Sequence, residues 1–434
     1  MRLFMYRTVL VGACVVAVAA VPLVGSAREC GEDVPCACGD VLTERYQLPG
    51  DLGPCEDGGL ILRGGAVLDC AGHTIRGRGA PAGNEKMPKT VGVLLDRTSG
   101  AVLRGCIVTG FRTGIELREA TRSTVMGCSS LRNGDARDRV GYGIHVARSQ
   151  DSTILECTVR GSADEGIHVG TGANGNALID NELSDNGREN LYVLNARGTR
   201  ILRNRASGKV AANLYMKHAS DSRVEANRFE GRPVVVRGRC QNNLFVDNVL
   251  DGGLTFRSYP DWAADGGDRP TDNVVRGGDI GGGRNCLTFS GASDNEIERT
   301  GLTGCGRIVA HSDTPTTNRM LDVAVERIPL DISGGARLRL LGTISVHVVD
   351  EDQRAIAGVR IELRGRAGEV LKPEPTDKDG VSVVRVPTHT VTAGGLVDLT
   401  PVKIVADADG FLIREIDVRE PLPERLTLTL EPAS

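Results

Sequence analysis

The chain has 434 residues, too many for one ordinary compact core, so two domains or one elongated repeat domain with an added module are expected. Aromatic residues make up only 3% of the chain whereas glycine occurs 56 times, which argues against a core built on aromatic anchors. The formal net charge is −4, and no basic stripe interleaves with aromatic residues, so nucleic acid is not an expected partner.

The N-terminus has the features of an export signal. Two arginines lie at the start of an apolar run from Thr8 to Val24, and Gly25-Ser26-Ala27 offers small residues for cleavage. We therefore predict a signal peptide over 1–27 and a secreted, periplasmic or cell-surface protein, with no membrane span after cleavage. A retained membrane anchor and a lipoprotein modified at Cys14 are the alternatives.

Cysteines are concentrated at the start of the mature chain. Cleavage would remove Cys14 and leave eleven cysteines, of which four lie within 28–60: Cys30, Cys36, Cys38 and Cys55. In an exported protein this density predicts disulfides that staple an N-terminal cap, and the odd total predicts at least one free, buried thiol. A metal site is the alternative, but no matching His or Cys pair occurs at ligand spacing, so neither a metal nor a cofactor is predicted.

A repeat of about 23 residues fills the middle of the chain. Each unit has an apolar stretch that ends at a Cys, an Asn or another small or polar marker, and from Cys106 the markers are 22, 29, 24, 23, 23, 21, 30 and 22 residues apart. A second strand lies between markers, as in Gly143-Ile144-His145-Val146. Such units have no helical period and cannot bury their apolar edges alone, so they must stack in parallel. We predict a parallel β-helix of about ten coils over 61–332, with this column of markers inside: Cys106, Cys128, Cys157, Asn181, Asn204, Asn227 and Asn248.

The stretch Ala66-Val67-Leu68-Asp69-Cys70-Ala71-Gly72-His73-Thr74-Ile75-Arg76-Gly77, followed by the Gly-Ile-x-Val repeats, resembles the bacterial and archaeal right-handed β-helix repeat proteins. That superfamily includes NosD-type periplasmic proteins, pectate-lyase-like enzymes and mannuronan epimerases. The resemblance spans about residues 38–325 and implies an all-β, right-handed helix. It is specific for fold only, because the superfamily hosts lyases, hydrolases, epimerases and adhesins.

The repeat pattern ends after Ile332. Short alternating strands then recur about every ten residues, and Asp377-Lys378-Asp379-Gly380 reads as a tight turn between two of them. This predicts a small β-sandwich over 333–434. The segment resembles carboxypeptidase-regulatory-like, prealbumin-type modules, which implies a structural or adhesive appendage.

The middle position of each Gly-Ile-x-Val strand is predicted to point outward, because Ile and Val share the inner face. Five consecutive coils place proton-capable side chains there, and we call them the strip: Glu116, His145, His168, Tyr192 and Tyr215. They are the candidate catalytic residues, with a histidine as base and a tyrosine as acid. The candidate substrate-binding residues are Arg118, Arg148, Asp164, Glu165, Glu189, Asn190, Lys217 and His218, with Tyr259 and Trp262 from an insertion. Insertions at 133–142 and 257–272 are expected to wall a groove.

This pattern favours a protein that binds an extracellular polysaccharide or cell-surface glycan and, on the enzymatic interpretation, acts as a uronate lyase or C5-epimerase. Such chemistry needs a base, an acid and a cation such as Arg148 or Lys217 to neutralise the carboxylate. Hydrolysis would instead need paired carboxylates, for which the candidates are Glu116, Asp164, Glu165 and Glu189. Two alternatives are a non-catalytic exported scaffold or adhesin, since His and Tyr also suit a half-exposed strand, and a NosD-like periplasmic accessory protein.

Overall fold

The computed structural model describes residues 28–81, 85–258, 268–366 and 368–433. Within these ranges the chain consists of strands and turns, and none of it forms a helix with the length and hydropathy that a bilayer crossing requires. The predicted signal peptide lies outside the described residues.

The strands as far as residue 298 are β1 Glu29–Cys30, β2 Val41–Leu42, β3 Arg45–Gln47, β4 Leu52–Cys55, β5 Leu60–Leu62, β6 Val67–Asp69, β7 Thr74–Gly77, β8 Val91–Asp96, β9 Val102–Arg104, β10 Ile107–Thr109, β11 Thr113–Arg118, β12 Thr124–Met126, β13 Ser129–Leu131, β14 Ile144–Ala147, β15 Thr153–Leu155, β16 Thr158–Arg160, β17 Ile167–Val169, β18 Ala177–Ile179, β19 Glu182–Ser184, β20 Glu189–Leu194, β21 Arg200–Leu202, β22 Arg205–Ser207, β23 Ala212–Lys217, β24 Arg223–Glu225, β25 Arg228–Glu230, β26 Val234–Arg237, β27 Leu244–Val246, β28 Val249–Asp251, β29 Leu254–Arg257, β30 Val274–Arg276, β31 Asp279–Ile280, β32 Leu287–Ser290 and β33 Glu296–Glu298. The later strands are β34 Ile308–Leu321, β35 Leu330–Val349, β36 Arg360–Arg364, β37 Val370–Leu371, β38 Val381–Thr392, β39 Gly395–Asp398, β40 Val402–Asp407, β41 Arg414–Val418 and β42 Arg425–Thr429.

The first 33 strands wind into three parallel ladders, which confirms the predicted right-handed parallel β-helix. Each coil contributes one strand to each ladder in turn, so every third strand pairs in parallel, as β11 does with β14 and β14 with β17. The ladder that contains the Gly-Ile-x-Val strands is called sheet 1 here. Sheet 3, which runs from β4 to β31, has ten strands within the described residues.

The interior of the β-helix is filled by stacked aliphatic side chains. In sheet 1, Ile115, Ile144 and Ile167 are each completely buried and occupy equivalent positions on consecutive coils. The glycine before each isoleucine is needed because the backbone passes close to the next coil. A Cβ at Gly143 would lie 2.3 Å from Val159 Cγ1 and 2.6 Å from the Gly166 carbonyl oxygen. The recurring Gly-Ile pair therefore reflects a tight corner, not a functional motif.

The predicted column of Cys and Asn markers is confirmed, and its position explains the residue types. Each marker follows a single residue with positive φ, such as Arg203 at 54°, which turns the chain between two ladders. The corner leaves backbone groups facing the interior, and asparagine satisfies them. Asn204 Oδ1 accepts a hydrogen bond from the Asn181 backbone N–H at 3.0 Å, and Asn204 Nδ2 donates to the Leu178 carbonyl at 2.8 Å. The ladder of amides thus ties each coil to its neighbours.

Disulfides join the four clustered cysteines, as predicted for the cap, in the pairs Cys30–Cys36 and Cys38–Cys55. Two further disulfides, Cys70–Cys106 and Cys286–Cys305, link coils of the β-helix. Cys128, Cys157 and Cys240 are free and buried, in agreement with the prediction of at least one free, buried thiol. Four disulfides are typical of a protein in an oxidising, extracytoplasmic compartment.

The C-terminal strands form a sandwich that shares one strand with the β-helix. The first part of β35 pairs in parallel with β34, and its last part pairs with β38 and β42. A second sheet, in the order β37-β36-β40-β41, packs on this one around a separate apolar core that includes Ile344, Val346 and Ile404. The core of the β-helix ends on this strand at Leu338. We therefore propose three structural units: a cap over 28–60, a β-helix over 61–332 and a sandwich over 333–434. Strand β35 crosses the boundary between the last two units.

Candidate functional site

The strip is one column of side chains on the outer face of sheet 1. Glu116 pairs with His145, His145 with His168, His168 with Tyr192, and Tyr192 with Tyr215, each on consecutive coils. The ring centroids are 5.2 Å apart for His145 and His168, 4.9 Å for His168 and Tyr192, and 5.4 Å for Tyr192 and Tyr215. The register predicted from the repeat therefore places these five side chains in one continuous row. The next residues in the column, Val235 and Thr255, carry no titratable group.

Tyr142 extends the strip sideways and was not among the predicted site residues. Its ring lies 4.7 Å from that of His145 and 4.9 Å from that of His168. It is the last residue of the predicted insertion at 133–142. Because that insertion was expected to form one wall of a binding groove, its final residue could have been predicted as a site residue. Burial, reinforced by Glu165 and Asp164, raises its pKa, so Tyr142 keeps its proton at neutral pH.

Three carboxylates border the strip, two on the turn that precedes β17 and one at the first residue of β20. We call Asp164, Glu165 and Glu189 the carboxylate cluster; each residue is at most 9% exposed. Arg188 bridges them, since its Nη1 lies 3.5 Å from both Asp164 Oδ1 and Glu165 Oε1 and its Nε lies 3.7 Å from Glu189 Oε2. Sequence reasoning missed Arg188, although it directly precedes the predicted Glu189.

The carboxylate cluster holds its members in different protonation states. Burial raises the pKa of Glu189 to about 7, an effect that Arg188 only partly opposes. Burial and the neighbouring Glu165 raise the pKa of Asp164 to about 6. Burial also opposes ionisation of Glu165, but the His168 ring and Arg188 outweigh it and hold the pKa of Glu165 below its usual value. Glu165 is therefore the ionised member, and Glu189 and Asp164 can exchange protons near neutral pH.

His168 and Glu165 form a close buried pair. His168 Nδ1 lies 3.7 Å from Glu165 Oε2, and neither atom has a hydrogen-bond partner. His168 is only 8% exposed, which corrects the expectation of a solvent-facing residue, because the Tyr142 and Tyr192 rings cover it. It is nevertheless on the outer face of sheet 1 and outside the apolar core. Its Nε2, on the side of the ring away from Glu165, is the nitrogen that a bound ligand could meet.

His145 and Tyr192 are both held in their neutral forms. Burial and the adjacent His168 lower the pKa of His145 to about 4, although Glu116, 3.9 Å from its Nδ1, favours the charged form. Burial, with contributions from Tyr215 and Glu165, raises the pKa of Tyr192 above its usual value. The strip thus presents the neutral rings of His145 and Tyr192 on either side of His168 and its ionised neighbour Glu165.

The predicted basic residues lie along the other edge of sheet 1, and three of them have a carboxylate neighbour. Arg118 Nε lies 3.1 Å from Glu116 Oε1, and Arg148 Nη2 lies 2.8 Å from Glu119 Oε1. His218 Nδ1 lies 3.4 Å from Asp268 Oδ1. Lys217 follows Tyr215 on the same strand and is half-buried. Arg148 and Lys217 are therefore on the side of the strip away from Glu165.

Asn190 is not at the surface, which corrects the expectation that it binds substrate. Its side chain is fully buried and donates hydrogen bonds to the Ser207 carbonyl and to Asn213 Oδ1, both at 2.8 Å. Tyr259 and Trp262 lie outside the described residues. Among the described residues, no three His, Cys, Asp or Glu side chains have the geometry of a metal site.

Comparison with known proteins gives a partial family match. The family model described as "Periplasmic copper-binding protein (NosD)" matches residues 72–266, which is less than half of the chain. The chain is similar to that family over this segment. No functionally curated protein matches it in sequence.

Three solved structures show the range of similar proteins. An alginate lyase from Paenibacillus sp. str. FPU-7 is 15% identical, covering 68% of this chain and 91% of that chain, with a TM-score of 0.34. The periplasmic alginate epimerase AlgG is 14% identical, covering 61% and 74%, with a TM-score of 0.39. A mutant tailspike protein of E. coli bacteriophage HK620, in complex with a pentasaccharide, is 10% identical, covering 86% and 85%, with a TM-score of 0.39. At these values the likeness says nothing about activity, and the fold rests on the strand registers described above.

Proposed function

We propose that the protein binds an extracellular polysaccharide along the strip and removes a proton from one sugar residue, with His168 as the base. The observation that carries the proposal is the buried Glu165 carboxylate, 3.7 Å from His168 Nδ1. An ionised carboxylate beside Nδ1 favours the tautomer with the proton on that nitrogen, which leaves the Nε2 lone pair free to accept a proton. Glu165 acts through His168 and is therefore a positioning residue.

The shape of the strip supports a polymeric ligand. Consecutive coils are about 4.8 Å apart, which is close to the length of one sugar residue, so each coil can meet a successive residue of a chain lying along the column. Tyr142, Tyr192 and Tyr215 are half-buried rings that offer apolar faces beside polar tips.

The proton-transfer groups suit chemistry at a uronate. His168 would take the proton on C5, and the electron pair left behind forms the C4–C5 double bond as the bond to the glycosidic oxygen breaks. Tyr192, protonated and next to His168, would give its proton to that oxygen. If the leaving oxygen stays attached and C5 regains a proton from the opposite face, the product is the epimer. Arg188 borders both Glu165 and Tyr192 and is the cation best placed to attract the uronate carboxylate.

A panel of acidic and neutral polysaccharides tests this proposal. Ultraviolet absorbance detects unsaturated uronates, and proton NMR of the polymer detects inversion at C5. His168→Ala should lower the rate by roughly 10²–10⁴-fold. His311→Ala is the matched control, because this histidine lies on sheet 1 outside the strip, with a side chain that is 52% exposed. Equal rates for wild type and His168→Ala would refute the role of His168. Absence of binding to every polysaccharide would favour the scaffold or adhesin alternative.

A periplasmic accessory role in copper handling is the second candidate, favoured by the match of residues 72–266 to the family described as periplasmic copper-binding. Four of the seven histidines fall in this segment: His73, His145, His168 and His218. Titration with Cu(I) and Cu(II) under calorimetry separates the two candidates. Stoichiometric binding that is lost in a His145→Ala and His168→Ala double variant would favour the copper role.

A further inference from the structure

A concave site separate from the strip lies on the same edge of sheet 1 as Tyr142. It is a cleft of about 440 Å³ that we call the basic cleft, lined by Lys86, Met87, Lys89, Arg112, Asp138 and Val140. Its size is within the range of small-molecule sites. We propose that the basic cleft binds an anionic substituent of the polysaccharide, a carboxylate or a sulfate, so that the substrate is an acidic glycan. This inference rests on the proposed function and adds a separate binding subsite to it.

The cationic side chains of the basic cleft outnumber its one carboxylate and form no close ion pair with a described residue. No described carboxylate lies within 4.0 Å of the side-chain nitrogens of Lys86, Lys89 or Arg112, although Asp138 is also part of the lining. Elsewhere on this edge the cations are paired, as Arg137 is with Asp135 at 2.6 Å. Three positive charges that converge on one cavity repel each other, and an anion within it would relieve that repulsion.

Three segments line the basic cleft, and two of them hold each other in place. Arg137, in the insertion at 133–142, donates a hydrogen bond to the Pro81 carbonyl at 2.8 Å. Met87 is buried and lines the cleft, and its burial anchors the segment that carries both lysines. Lys86 and Lys89 are exposed, and Arg112 is half-buried, so the lysine ammonium groups can approach an anion from solvent while the guanidinium forms the floor.

The position of the basic cleft relative to His168 follows from the ladder. Arg112 immediately precedes β11, whereas Tyr142 precedes β14, and the Gly114 N–H donates to the Tyr142 carbonyl at 3.0 Å. His168 lies one coil further, on β17. Arg112 is therefore two coils from the proposed base, or about 10 Å along the column, whereas Lys86 and Lys89, in the segment before β8, are three coils from it, or about 14 Å. A chain that places one residue at His168 would bring residues about two to three units away to the three cations.

This arrangement predicts that the basic cleft favours acidic over neutral oligosaccharides by contacting a sugar residue other than the one that reacts. An ammonium group attracts any anion, and a guanidinium can donate two parallel hydrogen bonds to a carboxylate or a sulfate. The double variant Lys86→Gln with Lys89→Gln should weaken binding of acidic oligosaccharides by about ten-fold or more and leave neutral ones unchanged. Arg112→Gln should act in the same direction.

Calorimetry on the full chain with an alginate hexasaccharide, an oligogalacturonate, a sulfated oligosaccharide and neutral cellohexaose provides the test. The matched control is Lys209→Gln with Arg232→Gln, which removes the same charge from two exposed residues on the turns before β23 and β26. The control should change each dissociation constant by less than two-fold, and added salt should reduce the difference between wild type and the cleft variant.

The outcomes for the cleft and for the proposed reaction are distinguishable. Weaker binding of an acidic probe by the cleft variant supports the subsite, even if the wild type converts none of the probes and the reaction at His168 fails. Equal binding of acidic probes by the cleft variant and the wild type overturns the subsite, even if His168 proves catalytic. Failure of every acidic probe to bind the wild type also overturns it.

Discussion

The low proton affinity of His145 should make the protein less stable in acid, and a single substitution can isolate this effect. His145 stands in the strip between Glu116 and His168, and its pKa is lowered to about 4 by burial and by the adjacent ring. Replacement by glutamine keeps a polar side chain of similar length that cannot titrate. The comparison of wild type with His145→Gln across pH therefore reports the cost of keeping His145 neutral.

The magnitude follows from the displacement of the pKa, from 6.5 to about 4. In the unfolded chain the imidazole takes up a proton near pH 6.5, whereas in the folded protein it does so only near pH 4. The folded state thus loses stability as the pH falls from 6.5 towards 4, and above 6.5 there is no contribution. Each pKa unit corresponds to 1.36 kcal/mol, so the full effect is about 3 kcal/mol.

The assay is guanidinium unfolding at pH 7.5, 5.5 and 4.5, with the disulfides intact. The unfolding free energy of wild type minus that of His145→Gln should become more negative by about 2–3 kcal/mol between pH 7.5 and 4.5. Tyr192→Phe is the control, because it alters the same strip without a group that titrates in this range, so its difference from wild type should stay constant. A constant difference for His145→Gln, or an NMR titration of His145 with a midpoint near 6.5, would refute the reasoning.

Two further substitutions test the interior and the carboxylate cluster. Asn204→Ala should lower the unfolding free energy by about 3–5 kcal/mol, because the Asn181 N–H and the Leu178 carbonyl lose their partners inside the β-helix. The control is the exposed Asn285→Ala, which should lower the unfolding free energy by less than about 1 kcal/mol. Equal losses for the two variants would contradict a stabilising role of the asparagine ladder. Glu189→Gln should stabilise the protein relative to wild type by about 1–2 kcal/mol at pH 8.5, after allowance for solvent screening, with no such gain near pH 4.5. The pKa of Glu189 is about 7 in the folded state against 4.5 in the unfolded chain, so the folded state loses stability as the pH rises from about 4.5 to 7, and the full loss is present above 7. A gain that does not depend on pH would exclude this cause.

The repeat spacing was sufficient to predict the parallel β-helix and the strip, whereas the right-handed sense came from the family resemblance. In a parallel stack, the residue that pairs with a given position lies one repeat along the chain, and side chains alternate between two faces. The step from His145 to His168 is one such repeat, so the sequence predicted both their adjacency and their outward face. The same logic predicted the interior column from Cys157 to Asn181, where the backbone of one coil donates to the amide of the next.

Only the tertiary structure decided where the side chains in and next to the turns between ladders point, because turn residues have no period that fixes their direction. Glu165 turns in behind His168. Asn190 lies near the start of β20, two residues before Tyr192, and strand alternation would place it on the outer face with Tyr192, but it points into the helix and donates to the Ser207 carbonyl and to Asn213 Oδ1. Arg188 became part of the site through its contacts with three separate carboxylates. The basic cleft likewise joins residues from loops of three different coils, and only their packing against one another brings those charges together.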